Sequence, residues 1–137
     1  ALAESLEMIL SEGLEKRYAR HQAIAKAMRS ALNRIGLKIV AEGKGRADTM
    51  TAAYYPSGID DEAFRGNMAR HGVVVAGGLG QLRGKIFRVG HMGNVSPNDI
   101  IATIGAIEAS LSRLGHSFPL GGGVGAATES LKSCPIG

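Results

Sequence analysis

From Leu14 to Ile35, the residues Leu14, Tyr18, His21, Ala25, Met28, Leu32 and Ile35 follow one another at alternating steps of four and three. That spacing draws a single stripe along one face of a helix, and such a stripe needs a core to lie against. Gly13 separates this helix from an earlier one carrying Leu2, Leu6 and Ile9, and Gly36 is placed to close it in a left-handed turn. The remaining segments are short enough to build only a modest sheet beneath it. "LKIVAE" (37–42) and "TMTAAYYP" (49–56) are strand-like and separated by the polar loop "GKGRAD", which predicts an antiparallel pair. Asp60 is placed to cap a helix running to about His71, with Phe64 and Met68 on one side. "VVVA" (73–76) reads as a short buried strand, and "KIFRVGHM" (85–92) as a fourth. Ser96, Pro97 and Asp99 then give a strong helix start, with Ile100, Ile104, Ile107, Leu111 and Leu114 as its stripe and Gly115 as its end. The glycines of "LGGGVGAATESL" (120–131) lead into one last short helix. The predicted fold class is α/β (α+β): a small, largely antiparallel four-stranded sheet with helices packed on one face and the other face left to water or a partner.

Length and composition restrict the function classes. At 137 residues, 45% hydrophobic and 20% charged, the chain is one ordinary globular domain or a piece of something larger. Aromatic residues are only 4% and tryptophan is absent, so base-stacking surfaces are scarce. A single cysteine, Cys134, rules out an internal disulfide and a cysteine zinc site and suits a reducing, cytoplasmic setting. No apolar run approaches the roughly 18 residues of a membrane span. "ALAESLEMIL" reads as the inside of an amphipathic helix without a capping residue before it, which suggests a chain cut from a longer parent. Six Lys and Arg residues (Lys16, Arg17, Arg20, Lys26, Arg29, Arg34) stand against one Glu between Leu14 and Ile35. Their alternatives are a solvated helix face or a phosphate-binding, nucleic-acid surface.

The stretch "GGLGQLRGKIFRVGHMG" (77–93) places Arg88 inside an otherwise apolar, glycine-flanked strand. Alternation sends Phe87, Val89 and His91 one way and Ile86, Arg88, Gly90 and Met92 the other. The Phe87 face is the natural one to bury, which leaves Arg88 on the open face next to Gly90. Gly77, Gly78, Gly80 and Gly84 let the incoming loop take unusual backbone angles and come close to a ligand. A guanidinium is a planar fork that fits a carboxylate with two parallel hydrogen bonds. The competing reading is an internal ion pair or a side chain reaching to water. The pattern is not a dinucleotide fingerprint, since a strand rather than a helix follows, and "RGK" is not a phosphate loop. Of the histidines, His21 falls on the apolar stripe and reads as a packing residue. His71, His91 and His116 lack metal-ligand spacing, so no metal site is expected, and the role of His91 is open.

The segment "RHGVVVAGGLGQLRGKIFRVGHMGNVSPNDIIATIGAIEASL" (70–111) resembles the carboxy-terminal small domain of class V aminotransferases, the alanine–glyoxylate and serine–glyoxylate type of pyridoxal-phosphate enzyme. "EGLEKRYARHQAIAKAMRSALNRIGLKIV" is similar to the helix and strand that open that domain, and "GGGVGAATESL" to its tail. The resemblance implies a fold-type I enzyme, dimeric as a parent, that moves an amino group from alanine, serine or aspartate to a 2-oxo acid such as glyoxylate or pyruvate. It also implies that Arg88 binds the substrate α-carboxylate, with Gly78 and Gly90 beside it. Residues 1–13 would lead in from a large domain, and residues 14–137 would form the small domain. The family keeps its Schiff-base lysine and pyridinium partner in the large domain. Lys16, Lys26, Lys38, Lys44, Lys85 and Lys132 match none of its cofactor-lysine contexts, so this segment alone should be inactive, with no catalytic, cofactor or metal residue of its own. The alternatives are a stand-alone amino-acid-binding regulatory module and a basic nucleic-acid-binding domain.

Overall fold

The computed structural model describes residues 1–132 and 134; residues 133 and 135–137 of the expected small domain lie outside them. Helix α1 (Leu2–Glu12) runs into α2 (Leu14–Arg34) through Gly13, followed by strand β1 (Met50–Tyr54), helix α3 (Asp61–Arg70), strand β2 (Ala76–Gly77), strand β3 (Ile86–Gly90), helix α4 (Pro97–Arg113) and helix α5 (Gly122–Leu131). The helix boundaries follow local chemistry. The Asp60 carboxylate accepts from the Ala63 amide at 2.9 Å, and Ser96 and Asp99 form a reciprocal capping box ahead of α4 with Pro97 in its first turn. Gly36, Gly72 and Gly115 take φ of 81°, 75° and 88° just past three helix ends, the left-handed turn that only glycine makes cheaply.

The sheet has three strands in the order β1-β3-β2, all antiparallel, rather than four. Segment 37–42 touches β1 through a single bridge, Ile39 with Ala53. Two bonds flank that bridge: the Val40 amide to the Ala52 carbonyl and the Tyr54 amide to the Lys38 carbonyl. Beyond it the chain is polar and turns away into solvent at Gly43–Gly45, so there is no apolar face to hold further pairing. The expected "VVVA" strand also shrinks, because the Val73 amide is still bonded to the Met68 carbonyl of α3. Only Ala76 and Gly77 reach the ladder, and Val74 is 90% exposed.

The core lies between the helices and one sheet face. Met28, Leu32 and Ile35 of the stripe, with Ile24 beside it, share one core with Ile104, Ile107 and Leu111 of α4, with Phe64 and Phe87 at the sheet side. The scarce aromatics are concentrated here: the Phe64 and Phe87 rings lie 4.8 Å apart and Tyr55 packs on both. The stripe is buried only from His21 onward. Leu14 and Tyr18 are exposed, because the first turns of α2 overhang the core and face only α1. Helix α1 buries no residue and presents Leu2, Leu6, Met8 and Leu10 to solvent.

The basic side of α2 is only partly a solvated face. Arg20 bonds both oxygens of Glu12 and the carbonyls of Gly93 and Val95, and Arg17 joins the same carboxylate at 2.8 Å. Arg29 pairs with Asp48 and the Ala47 carbonyl. These arginines tie α2 to α1 and to the loops at the sheet edge. His21 behaves as a packing residue: Nδ1 lies 2.7 Å from the Arg17 carbonyl and Nε2 accepts from the Gly93 amide.

Candidate functional site

Strand β3 is central, and Phe87 and Arg88 have strand partners on both sides. Thr51 opposite Val89 and Ala53 opposite Phe87 share the helix-covered face. The other face carries Arg88, with Ala52 directly across on β1 and Ala76 directly across on β2. Two residues along the strand is Gly90, whose missing side chain leaves open space. Directly across the strands and toward Gly90 the guanidinium therefore meets methyl groups and bare backbone, while the buried Ile86 shares its face two residues the other way.

The hydrogen bonding of Arg88 is incomplete. Its Nε donates to the Gly77 carbonyl at 2.8 Å, and its Nη1 and Nη2 have no hydrogen-bond partner among the described residues. Arg17, Arg20, Arg29, Arg65 and Arg88 are the half-buried arginines, and the first four each contact a carboxylate. Arg88 has none among the described residues. A half-buried cation facing only a neutral carbonyl retains its full charge for an anion from outside. Hollows of about 440, 390 and 250 Å³ lie beside α3, beside α4 and beside the 38–46 loop, and Arg88 lines none of these three.

The glycines ahead of β3 serve the loop's own folding as well. Gly80 and Gly84 take φ of 53° and 72° around the short turn Gly80–Leu82 that joins β2 to β3. Gly78 is buried, and a Cβ there would lie 2.0 Å from the Leu82 carbonyl oxygen. No side chain fits at this position, whatever approaches the loop. Of the two glycines expected beside the substrate, Gly90 thus opens onto the Arg88 face, while Gly78 lies inside the turn.

His91 is fully buried on the side of the sheet opposite Arg88, and its Nε2 lies 2.8 Å from Thr51 Oγ1 of β1. Its Nδ1 has no partner among the described residues. Burial, reinforced by the nearby Arg29 charge, pushes its pKa down to about 4, so the ring is neutral near pH 7. It acts as a tether between β1 and β3. A second buried polar residue, Glu108 of α4, went unnoticed in the sequence. Its carboxylate accepts the amides of Gly121 and Gly123 at 2.6 Å and of Val124 at 3.1 Å, which satisfies the start of α5. Among the described residues no group of three or more His, Cys, Asp or Glu side chains could hold a metal ion, and no helix is long and apolar enough to cross a membrane.

No protein-family model matches the chain. Known proteins do. An uncharacterized aminotransferase of Methanocaldococcus jannaschii is 43% identical over 84% of this chain and 30% of its own length. A Synechococcus protein named as the small subunit of a soluble hydrogenase is 39% identical over 97% of this chain and 35% of its own. A serine–glyoxylate aminotransferase of Methylorubrum extorquens is 34% identical over 98% and 34%. Among solved structures, the pyridoxamine–pyruvate aminotransferase of Mesorhizobium loti superimposes with a TM-score of 0.87 at 35% identity, over 93% of this chain and 33% of that one. The chain spans about a third of the length of the curated relatives it matches.

Proposed function

We propose that the chain is the carboxy-terminal small domain of a class V aminotransferase, as the aminotransferases it resembles support, with Arg88 as the group that holds the substrate carboxylate. The full-length protein would move an amino group from a small amino acid (alanine, serine or aspartate) to a 2-oxo acid such as glyoxylate or pyruvate. Both substrates carry a carboxylate next to the reacting carbon, so one fixed cation can orient each in turn. The observation that carries this reading is the contrast among the half-buried arginines: four contact carboxylates within the fold, and Arg88, on the open face between Ala52 and Ala76, contacts none among the described residues.

Pyridoxal phosphate supplies the electron sink of such a reaction when bound. The residues of this chain do not make a cradle for it. All six lysines are exposed, and the buried Glu108 is already committed to three backbone amides. The cofactor is therefore assigned to residues outside this segment, and the domain's own contribution is to bind and orient. In the same reading residues 14–137 form the small domain, and residues 1–13 run beside the rest of a cytoplasmic homodimer. The uncovered apolar residues of α1 support that placement. A nucleic-acid surface finds less support, because Arg17, Arg20 and Arg29 are turned into the fold.

The test is Arg88→Ala in the full-length protein. Loss of a charge-assisted pair in a closed site costs about 2–4 kcal/mol, a fall in kcat/KM of roughly 30- to 1,000-fold. Arg88→Lys should also be impaired, because an ammonium cannot reproduce the fork. Wild-type turnover of amino acids by Arg88→Ala would refute the assignment.

A further inference from the structure

Resting on that carboxylate-binding reading, we propose that Gly77 is a positioning residue whose carbonyl fixes the Arg88 guanidinium, so that a substrate carboxylate is gripped end-on by Nη1 and Nη2. A guanidinium offers a carboxylate two kinds of fork: Nε with one Nη, or the two Nη nitrogens together. The Nε–H of Arg88 is taken by the Gly77 carbonyl at 2.8 Å, which closes the first fork and leaves the second. The acceptor is neutral and leaves the positive charge undiminished, unlike the Glu12 carboxylate facing Arg20. It also holds a long side chain in one orientation before substrate arrives, which lowers the ordering cost of binding.

The Gly77 carbonyl needs support of its own, because β2 is an edge strand of two residues. The ladder continues only through the Gly78 amide to the Ile86 carbonyl at 3.1 Å. Further support comes from α3. Gly77 pairs with Phe87, so its side-chain position lies on the helix-covered face, away from Arg88. There a Cβ would stand 3.3 Å from Asp61 Oδ1 and 3.5 Å from Arg65 Nε. Asp61 is itself held by the Tyr55 hydroxyl at 2.8 Å and by two bonds from Arg65. The Tyr55–Asp61–Arg65 cluster thus sits against the bare face of Gly77, and the carbonyl of the same residue holds Arg88 in the open face. A branched side chain at 77 would push β2 off α3 and displace the acceptor.

A double-mutant cycle in the full-length protein separates positioning from bulk stability. The readouts are kcat/KM for an amino acid donor and the dissociation constant of propionate, an unreactive carboxylate, measured by calorimetry. Arg88→Ala is expected to weaken propionate about 30-fold and Gly77→Val about 10-fold. In the Arg88→Ala background, Gly77→Val should cost less than about twofold more, since the group it positions is gone. If Gly77→Val does not fold, Asp61→Asn carries the same cycle with an expected loss of about threefold. An undiminished effect in the Arg88→Ala background, or no effect on propionate in the Arg88 background, overturns the positioning role while leaving the carboxylate reading intact. Propionate bound by Arg88→Ala as tightly as by wild type overturns the carboxylate reading itself.

Discussion

Glu108 should be worth more to this fold than any surface charge, and the structure gives a magnitude. Its side chain is 3% exposed and meets no cation among the described residues. Three amides at the start of α5 stabilise it instead, and α5 has no side-chain cap at its own Gly121. The carboxylate therefore caps that helix from another element and also faces the positive end of its dipole. In Glu108→Ala, water can reach the exposed Gly121 amide, but the Gly123 amide is buried and that of Val124 half-buried. Stranding those two donors costs about 1–2 kcal/mol each, and losing the charge at the helix start about 0.5–1 more, or roughly 3 kcal/mol together. Glu108→Gln should lose less, about 1–2 kcal/mol, because its amide oxygen can still accept from Gly123 and Val124 while its NH2 group faces the Gly121 amide. Urea unfolding followed by far-UV circular dichroism measures both. With a slope of about 1.5 kcal/mol per molar, the Ala variant should unfold about 2 M earlier than wild type and the Gln variant about 1 M earlier. An Ala variant within about 0.3 M of wild type, or a Gln variant worse than Ala, would show that these three contacts do not hold α5 in place.

Two further outcomes follow from buried groups. His91 is neutral in the fold with a pKa near 4 against an ordinary 6.5, so the unfolded chain binds its proton first; the stabilising difference, roughly 3 kcal/mol, is present above pH 6.5, lost as the pH falls toward 4 and constant below that. Urea midpoints measured across that window for wild type and His91→Gln should diverge at high pH and converge at low pH, and parallel curves would refute it. At Gly123 a Cβ would lie 2.7 Å from Glu108 Oε1 and 3.1 Å from Ile35 Cγ2, so Gly123→Ala should destabilise by about 1–3 kcal/mol despite improved helix propensity. A thermal scan showing a gain in Tm would contradict that packing.

What the sequence displays clearly is whatever neighbouring residues decide among themselves. The caps at Asp60 and at Ser96 with Asp99, the left-handed glycines 36, 72 and 115, and the alternation that turns Phe87 inward and Arg88 outward are all settled within a few positions. Strand number is different, because a strand exists only where a partner continues. Segment 37–42 has the right residues, yet it leaves the sheet after one bridge. Glu108 was hidden for a similar reason: its partners lie 13 to 16 residues away and meet it only when α4 and α5 pack. A signal did exist, since a helix that begins with glycines and lacks its own cap must find an acceptor elsewhere. At the candidate site, alternation gave the face of Arg88, but Ala52, Ala76 and the Gly77 carbonyl could be placed only by the register of three strands.

The same openness that favours a ligand role for Arg88 limits what this domain does alone. A carboxylate paired with a guanidinium in water gains about 0–1 kcal/mol, whereas even millimolar affinity requires about 4 kcal/mol. The immediate surroundings of Arg88, namely Ala52, Ala76, Gly90 and the already buried Ile86, add little apolar contact and no second side-chain hydrogen-bond donor for the ligand. A stand-alone amino-acid-binding module would have to close the site with its own side chains, and the flat ring of alanine and glycine is poorly suited to that. A second surface laid over the sheet would exclude water, raise the strength of the same ion pair several-fold and contribute the remaining contacts. The 2–4 kcal/mol assigned to Arg88 therefore belongs to the assembled enzyme, where the fork that Gly77 holds in place meets a carboxylate already stripped of water.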